Sequence, residues 1–111
     1  MLTDRARDRA LDAILAGPVM VGLLAGDREI VSDAYSRQPV RLSLPRPGDR
    51  GRRVVNDAEV RFPPMLAETT VTGWLLADAE GELVREALAP VEYRINDAPV
   101  FRPGALAVEV I

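Results

Sequence analysis

The strongest constraint on this chain is the change of hydrophobic period at Gly17-Pro18. Before that dipeptide, "TDRARDRALDAILA" spaces its apolar residues as a helix does. After it, apolar and polar residues alternate in short runs, each closed by Gly, Pro, Asn or Asp. One helix is therefore followed by about seven to eight short strands at roughly ten-residue spacing. That pattern predicts a mainly β fold, an antiparallel β-sandwich or small barrel with one N-terminal α-helix.

Thr3 is a fair N-cap with Asp4 in the first turn, and Gly17 followed by Pro18 is a stop, so the helix is expected over residues 4–16. Leu11, Ile14 and Leu15 share a face, while Arg5, Asp8, Arg9 and Asp12 occupy the others. So short a stripe cannot stand alone; it packs on a flank of the domain or against a neighbouring subunit. The expected organisation is residues 1–17 as a flanking helix and 18–111 as a single β domain, since 111 residues leave no room for a second stable core.

Strand candidates follow in order. "PVMVGLLAG" (18–26) ends in the turn Gly26-Asp27, and "EIVS" (29–32) returns beside it. "YSRQPVRLSL" (35–44) alternates, with Val40, Leu42 and Leu44 on one side and Arg37, Arg41 and Ser43 on the other; Pro39 lacks a ladder donor and assigns this strand to an edge. "PRPGDRGRR" (45–53) reads as an exposed loop of nine residues. "TTVTGWLLADAEGELVREAL" (69–88) reads as a hairpin turning at Asp78-Ala79-Glu80-Gly81, and "VEYRI" (91–95) and "ALAVEVI" (105–111) as two further strands, the last of them paired.

Within this series "VVNDAEVRFPP" (54–64) returns in altered form as "RINDAPVFRPG" (94–104). Asn-Asp is turn chemistry, and in the first copy Ala58, Val60 and Phe62 alternate against Glu59 and Arg61. Each copy reads as a turn feeding a short strand that ends at Pro and places a Phe in the core. Recurrent turn chemistry explains the echo better than a duplicated functional motif, because neither copy carries an arrangement of reactive groups.

Composition bounds the chemistry. There is no Cys and no His, which removes disulfides, thiol nucleophiles, imidazole bases and nearly every zinc or iron site. All 14 basic residues are Arg, and the formal net charge is -3 with a pI near 4.9, which argues against a general nucleic-acid binder. The longest uncharged apolar run, residues 14–26, is interrupted by Gly17-Pro18 and is too short to span a bilayer, and the charged N-terminus lacks the form of a secretory signal. No membrane association and no signal peptide are expected.

Three constellations bear on function. "DAEGE" (78–82) alternates acidic groups like the front of a calcium loop, but lacks that loop's length and closing Glu, so it reads as a hairpin turn. Arg46, Arg50, Arg52 and Arg53 can clamp phosphate or an acidic partner, or simply be solvated charge. The carboxylates Glu59, Glu68, Asp78, Glu80 and Glu92 could serve a hydrolase only in a deep cleft that so small a chain can hardly build. The expectation is no enzyme, no metal and no cofactor.

In order and spacing, "EIVSDAYSRQPVRLSL" (29–44), "VVNDAEVRFP" (54–63), "TTVTGWLLADAEGEL" (69–83) and "LAPVEYRINDAPVFRPGALAVEV" (88–110) resemble the small phage virion proteins usually labelled tail fibre or minor tail protein. Tyr35, Arg37 and Gln38 match that family's Tyr-x-Arg-Gln element; Asn56, Phe62 and Pro63 match its Asn…Phe-Pro strand; Asp78 and Ala79 match its hairpin turn. Phe101, Gly104, Leu106 and Val108 match its closing segment. The chain departs at Gly73-Trp74, where the family has the aromatic before a Gly, and in the Arg content of residues 45–53. The resemblance implies a virion protein made in the host cytoplasm that acts without catalysis or cofactor. Its implied partners are other virion proteins and copies of itself, with a trimer favoured by analogy. Tail attachment, head decoration and binding of a host receptor or saccharide remain open, and an aromatic content of 5% weighs against the last.

Overall fold

In the computed structural model, which describes residues 1–111, Thr3 opens the helix with extended backbone, and its hydroxyl accepts from the Ala6 N–H at 3.2 Å. The helix α1 spans Asp4–Leu15 and buries Leu11 and Ile14. It lies across two strands of the β domain, contributing both residues to the central core. The short apolar stripe thus finds its cover within the chain.

Ten strands follow: β1 (Val19–Ala25), β2 (Arg28–Glu29), β3 (Gln38–Val40), β4 (Arg46–Pro47), β5 (Arg52–Val55), β6 (Val60–Arg61), β7 (Thr69–Asp78), β8 (Gly81–Tyr93), β9 (Val100–Phe101) and β10 (Ala107–Val110). They form antiparallel sheets: β2-β1-β7-β8 with β3 also on β1, then β10-β5-β4, then the pair β6-β9. The sheets close on a core of 15 buried residues that includes Val21, Leu23, Val54, Phe62, Trp74 and Leu76. A mainly β, sandwich-like fold with one N-terminal helix is therefore what this sequence specifies. The helix meets β5 and β10.

The strand count exceeds the expected seven to eight because several pairings are only two residues long and leave no periodic signal. The expected strand at 91–95 is instead the far end of β8, which runs unbroken from Gly81 to Tyr93 along β7. The ladder absorbs a register shift between Val71 and Gly73, beside Pro90, and that irregularity divided the run in the sequence pattern. Gly73 is required there: a Cβ would stand 2.5 Å from the Glu86 carbonyl oxygen.

The alternation expected at 35–44 also fails beyond Val40. Leu44 is 81% exposed while Ser43 is buried. The chain leaves the first sheet after β3 and joins the second, where the Ser43 N–H donates to the Val55 carbonyl and its hydroxyl accepts from the Val55 N–H. That exchange fixes Ser43, not Leu44, on the inside. Pro39 faces Met20 of β1, and β3 pairs with no other strand, so the missing N–H costs no ladder bond on a second side.

Residues 45–53 are not a loose loop. Arg46↔Arg53 and Pro47↔Arg52 pair, Gly48 donates to the Gly51 carbonyl at 2.8 Å, and the segment is a tight hairpin. Sequence alone could not reveal this, because the group that holds the turn is Glu109, on the last strand. Its carboxylate accepts from the Asp49 and Arg50 N–H groups at 3.0 and 2.8 Å. No helix is long and apolar enough to cross a membrane.

Candidate interaction surface

A cluster of ionisable groups sits beside β1 of the first sheet. Gly22 of β1 leaves the space; an added Cβ would fall 2.5 Å from Glu29 Oε2 and 2.8 Å from the Tyr35 hydroxyl. Into it the Tyr35 hydroxyl donates to Glu29 while accepting from the Leu23 N–H at 3.0 Å. Arg37 closes on the same carboxylate with Nε at 3.0 Å and Nη2 at 2.8 Å. The Arg37 guanidinium holds the Glu29 carboxyl below its ordinary range against an opposing desolvation, with the Tyr35 hydroxyl assisting. Burial first, and then the Glu29 carboxylate, push the Tyr35 hydroxyl up.

Tyr35 and Arg37 are thus brought together, but onto a residue that the sequence reading passed over. Glu29 lay within a quoted stretch, yet nothing in its spacing pointed to Tyr35, because five intervening residues outside any helix or strand separate them. Gln38 turns away, its amide donating to Ser36. The arrangement satisfies each charge with another. Neither an ionised carboxylate clamped by arginine nor a tyrosine held protonated is poised to transfer a proton at neutral pH.

Asn56, Phe62, Phe101 and Gly104 meet at a second place. Asn56 is fully buried, and its amide donates to the carbonyls of Ala58 and Arg102 at 3.0 and 2.9 Å while its side-chain oxygen accepts from the Leu106 N–H at 2.8 Å. Its backbone joins Leu106 and Gly104 as well. Gly104 takes φ +86°, where a side chain would be strained. Phe62 is buried between Tyr35, stacked at 6.2 Å, and Phe101, edge-on at 6.2 Å. Pro63 is half-buried beside it, and Leu106 and Val108 are core. Phe101 is only half-buried, which corrects the expectation that both echoes place a Phe in the core.

Asp78 is a turn residue, accepting from the Glu80 and Gly81 N–H groups at 2.8 and 3.1 Å, and Ala79 is exposed beside it. Glu82 pairs with Arg85, whose guanidinium holds that carboxyl below its usual range. No three His, Cys, Asp or Glu side chains are placed to hold a metal ion.

The four hairpin arginines separate. Arg52 reaches back to the helix, donating through Nε to Asp8 at 2.8 Å, so it is an internal tie and not a free contact group; this corrects its assignment to a partner surface. The pair is partly shielded and fastens α1 to β5, a link hidden in sequence by the 44-residue separation. Arg46 and Arg50 are exposed and form no ion pair. Arg53 is half-buried, and its Nε has no hydrogen-bond partner.

At the open end of the long hairpin β7-β8 lies a cleft of about 540 Å³ lined by Glu68, Thr69, Thr70, Glu92, Tyr93 and Arg94. Glu68 and Glu92 are exposed and enter no ion pair. Burial pushes the Tyr93 hydroxyl up. No family model matches the chain, and no curated protein matches its sequence.

Proposed function

We propose that this chain is a non-enzymatic structural protein of a phage or phage-like particle, associated with the tail, that works through contacts between subunits. One observation carries the reading: how the charged groups divide. Clustered and shielded charges, such as Glu29 with Arg37 and Asp8 with Arg52, are matched inside the chain. Charges on the hairpin and in the cleft, Arg46, Arg50, Glu68 and Glu92, are exposed and unmatched. Exposed charges of both signs left unmatched within the chain suit surface complementarity with a partner, which supports the reading. The order of motifs resembling small tail proteins supports a virion setting.

The aromatic rings support subunit contact over saccharide binding. Trp74 and Phe62 are buried, so they offer no stacking platform. Labelling of intact particles with an antibody to this chain tests the proposal. Repeated label at the tail is expected; label at the head instead would make the protein a head decoration, and unlabelled particles would defeat the virion reading.

A further inference from the structure

The β4-β5 hairpin is held at its turn by the Glu109 carboxylate, yet its exposed arginines, Arg46 and Arg50, enter no ion pair. Glu109 stands opposite Arg53 in the β10-β5 register, where it would be the natural ion-pair partner. Its carboxylate goes instead to the N–H groups of Asp49 and Arg50. On its other side Arg53 faces Arg46, a like charge directly across the strands, and its Nε is left buried without an acceptor. Like charges directly opposite destabilise a sheet. Fixing the turn while leaving the arginines unmatched makes a pre-organised basic finger, for which docking loses little conformational freedom.

The same chain carries a concave counterpart. Glu68 and Glu92 line the cleft of about 540 Å³ at the open end of β7-β8 together with Thr69, Thr70, Tyr93 and one cation, Arg94, so that acidic groups outnumber basic ones there. Neither carboxylate has an ion-pair partner in the chain. Finger and cleft belong to different sheets. We propose that the finger of one copy seats Arg46, Arg50 and Arg53 against Glu68 and Glu92 of a second copy. This inference rests on the subunit-contact reading above and names its surfaces. Two different patches meet, so the contact is head-to-tail, and its repetition closes a ring or extends a filament.

A charge-swap experiment tests it on the full chain. One variant carries Arg46→Glu and Arg50→Glu, the other Glu68→Arg and Glu92→Arg; all four side chains are exposed, so circular dichroism is expected to match wild type. In sedimentation equilibrium the wild type self-associates more tightly as salt is lowered. Each variant alone associates about tenfold more weakly or worse, and the equimolar mixture recovers association, because every finger then meets a cleft of opposite sign. If a reversal unfolds the chain, Ser at the same positions is read for the same loss. A wild type that stays monomeric at low salt overturns the contact, as does a mixture no tighter than its components. Monomeric wild type together with labelled particles would overturn this contact and leave the virion reading standing.

Discussion

The two Asn-Asp segments begin alike and end in opposite roles. Asn56 is fully buried, with every side-chain hydrogen-bonding group paired to backbone of 58, 102 and 106. Asn96 is exposed at φ +73°, in a turn where Asp97 accepts from the Arg94 N–H at 2.8 Å. The first Asn is a bracket inside the domain, and the second only reverses the chain. Yet the segments are partners: β6 of the first pairs with β9 of the second, Val60↔Phe101 and Arg61↔Val100. Asn56 also grips the stretch that follows β9. Similar residues therefore do not imply similar work; the neighbours that each meets decide it.

The sharpest test of that difference is the pair of phenylalanines. Phe62 is 2% exposed and touches both Tyr35 and Phe101, so Phe62→Ala is expected to cost about 3–5 kcal/mol in urea unfolding. Phe101 is half-buried at the core's margin, and Phe101→Ala is expected to cost roughly 1–2 kcal/mol. Equal losses would mean that the two segments are equivalent after all.

Next in size is the bracket itself. Asn56→Ala leaves the Leu106 N–H and the Ala58 and Arg102 carbonyls short of a partner. One buried unsatisfied group costs about 1–3 kcal/mol, and water can reach Arg102 at the surface, so about 2–3 kcal/mol is expected from thermal unfolding. The same substitution at Asn96 serves as control. Losses within error of each other would remove the distinction.

These contrasts show what was legible in the sequence. The helix at 4–16, the turn at 78–81 and strand β1 were readable because each is set by neighbours in the chain: a cap, an Asx turn, an apolar run. The hairpin at 46–53 and the continuity of β8 were not, since one depends on Glu109 about sixty positions away and the other on a ladder that tolerates Pro90. At the candidate surface the exposed arginines 46 and 50 were legible as charge. That Arg52 is tied to Asp8, that Glu29 gathers Tyr35 and Arg37, and that Glu68 and Glu92 share a cleft are long-range facts with no local signature.

The first segment is also coupled to pH through Tyr35, whose ring stacks on Phe62 and whose hydroxyl holds Glu29. Glu29 has a folded-state pKa below its ordinary 4.5, chiefly through Arg37, so its contribution to stability is present above that value and is lost as pH falls through it toward the folded-state pKa. Arg37 is 38% exposed and water screens the pair, so the loss is expected to be on the order of 1 kcal/mol. Comparing wild type with Glu29→Gln by urea unfolding from neutral to acid pH isolates it. If the two lose stability in parallel, Glu29 is not the coupling group.

The smallest expected effect probes the second segment on its own terms. At φ +73° an L-residue is in the left-handed region, which Asn tolerates better than most and Gly without penalty. The turn also fixes the Met65 segment, because Asn96 donates to the Met65 carbonyl and Met65 to the Asp97 carbonyl, both at 2.8 Å through backbone alone. Those bonds survive any side chain. Asn96→Ala is therefore expected to cost at most about 1 kcal/mol, and Asn96→Gly to leave the melting temperature nearly unchanged. If Asn96→Gly destabilised as much as Asn56→Ala, the Asn96 side chain would be making contacts of its own, and the second turn would have to count as a bracket like the first.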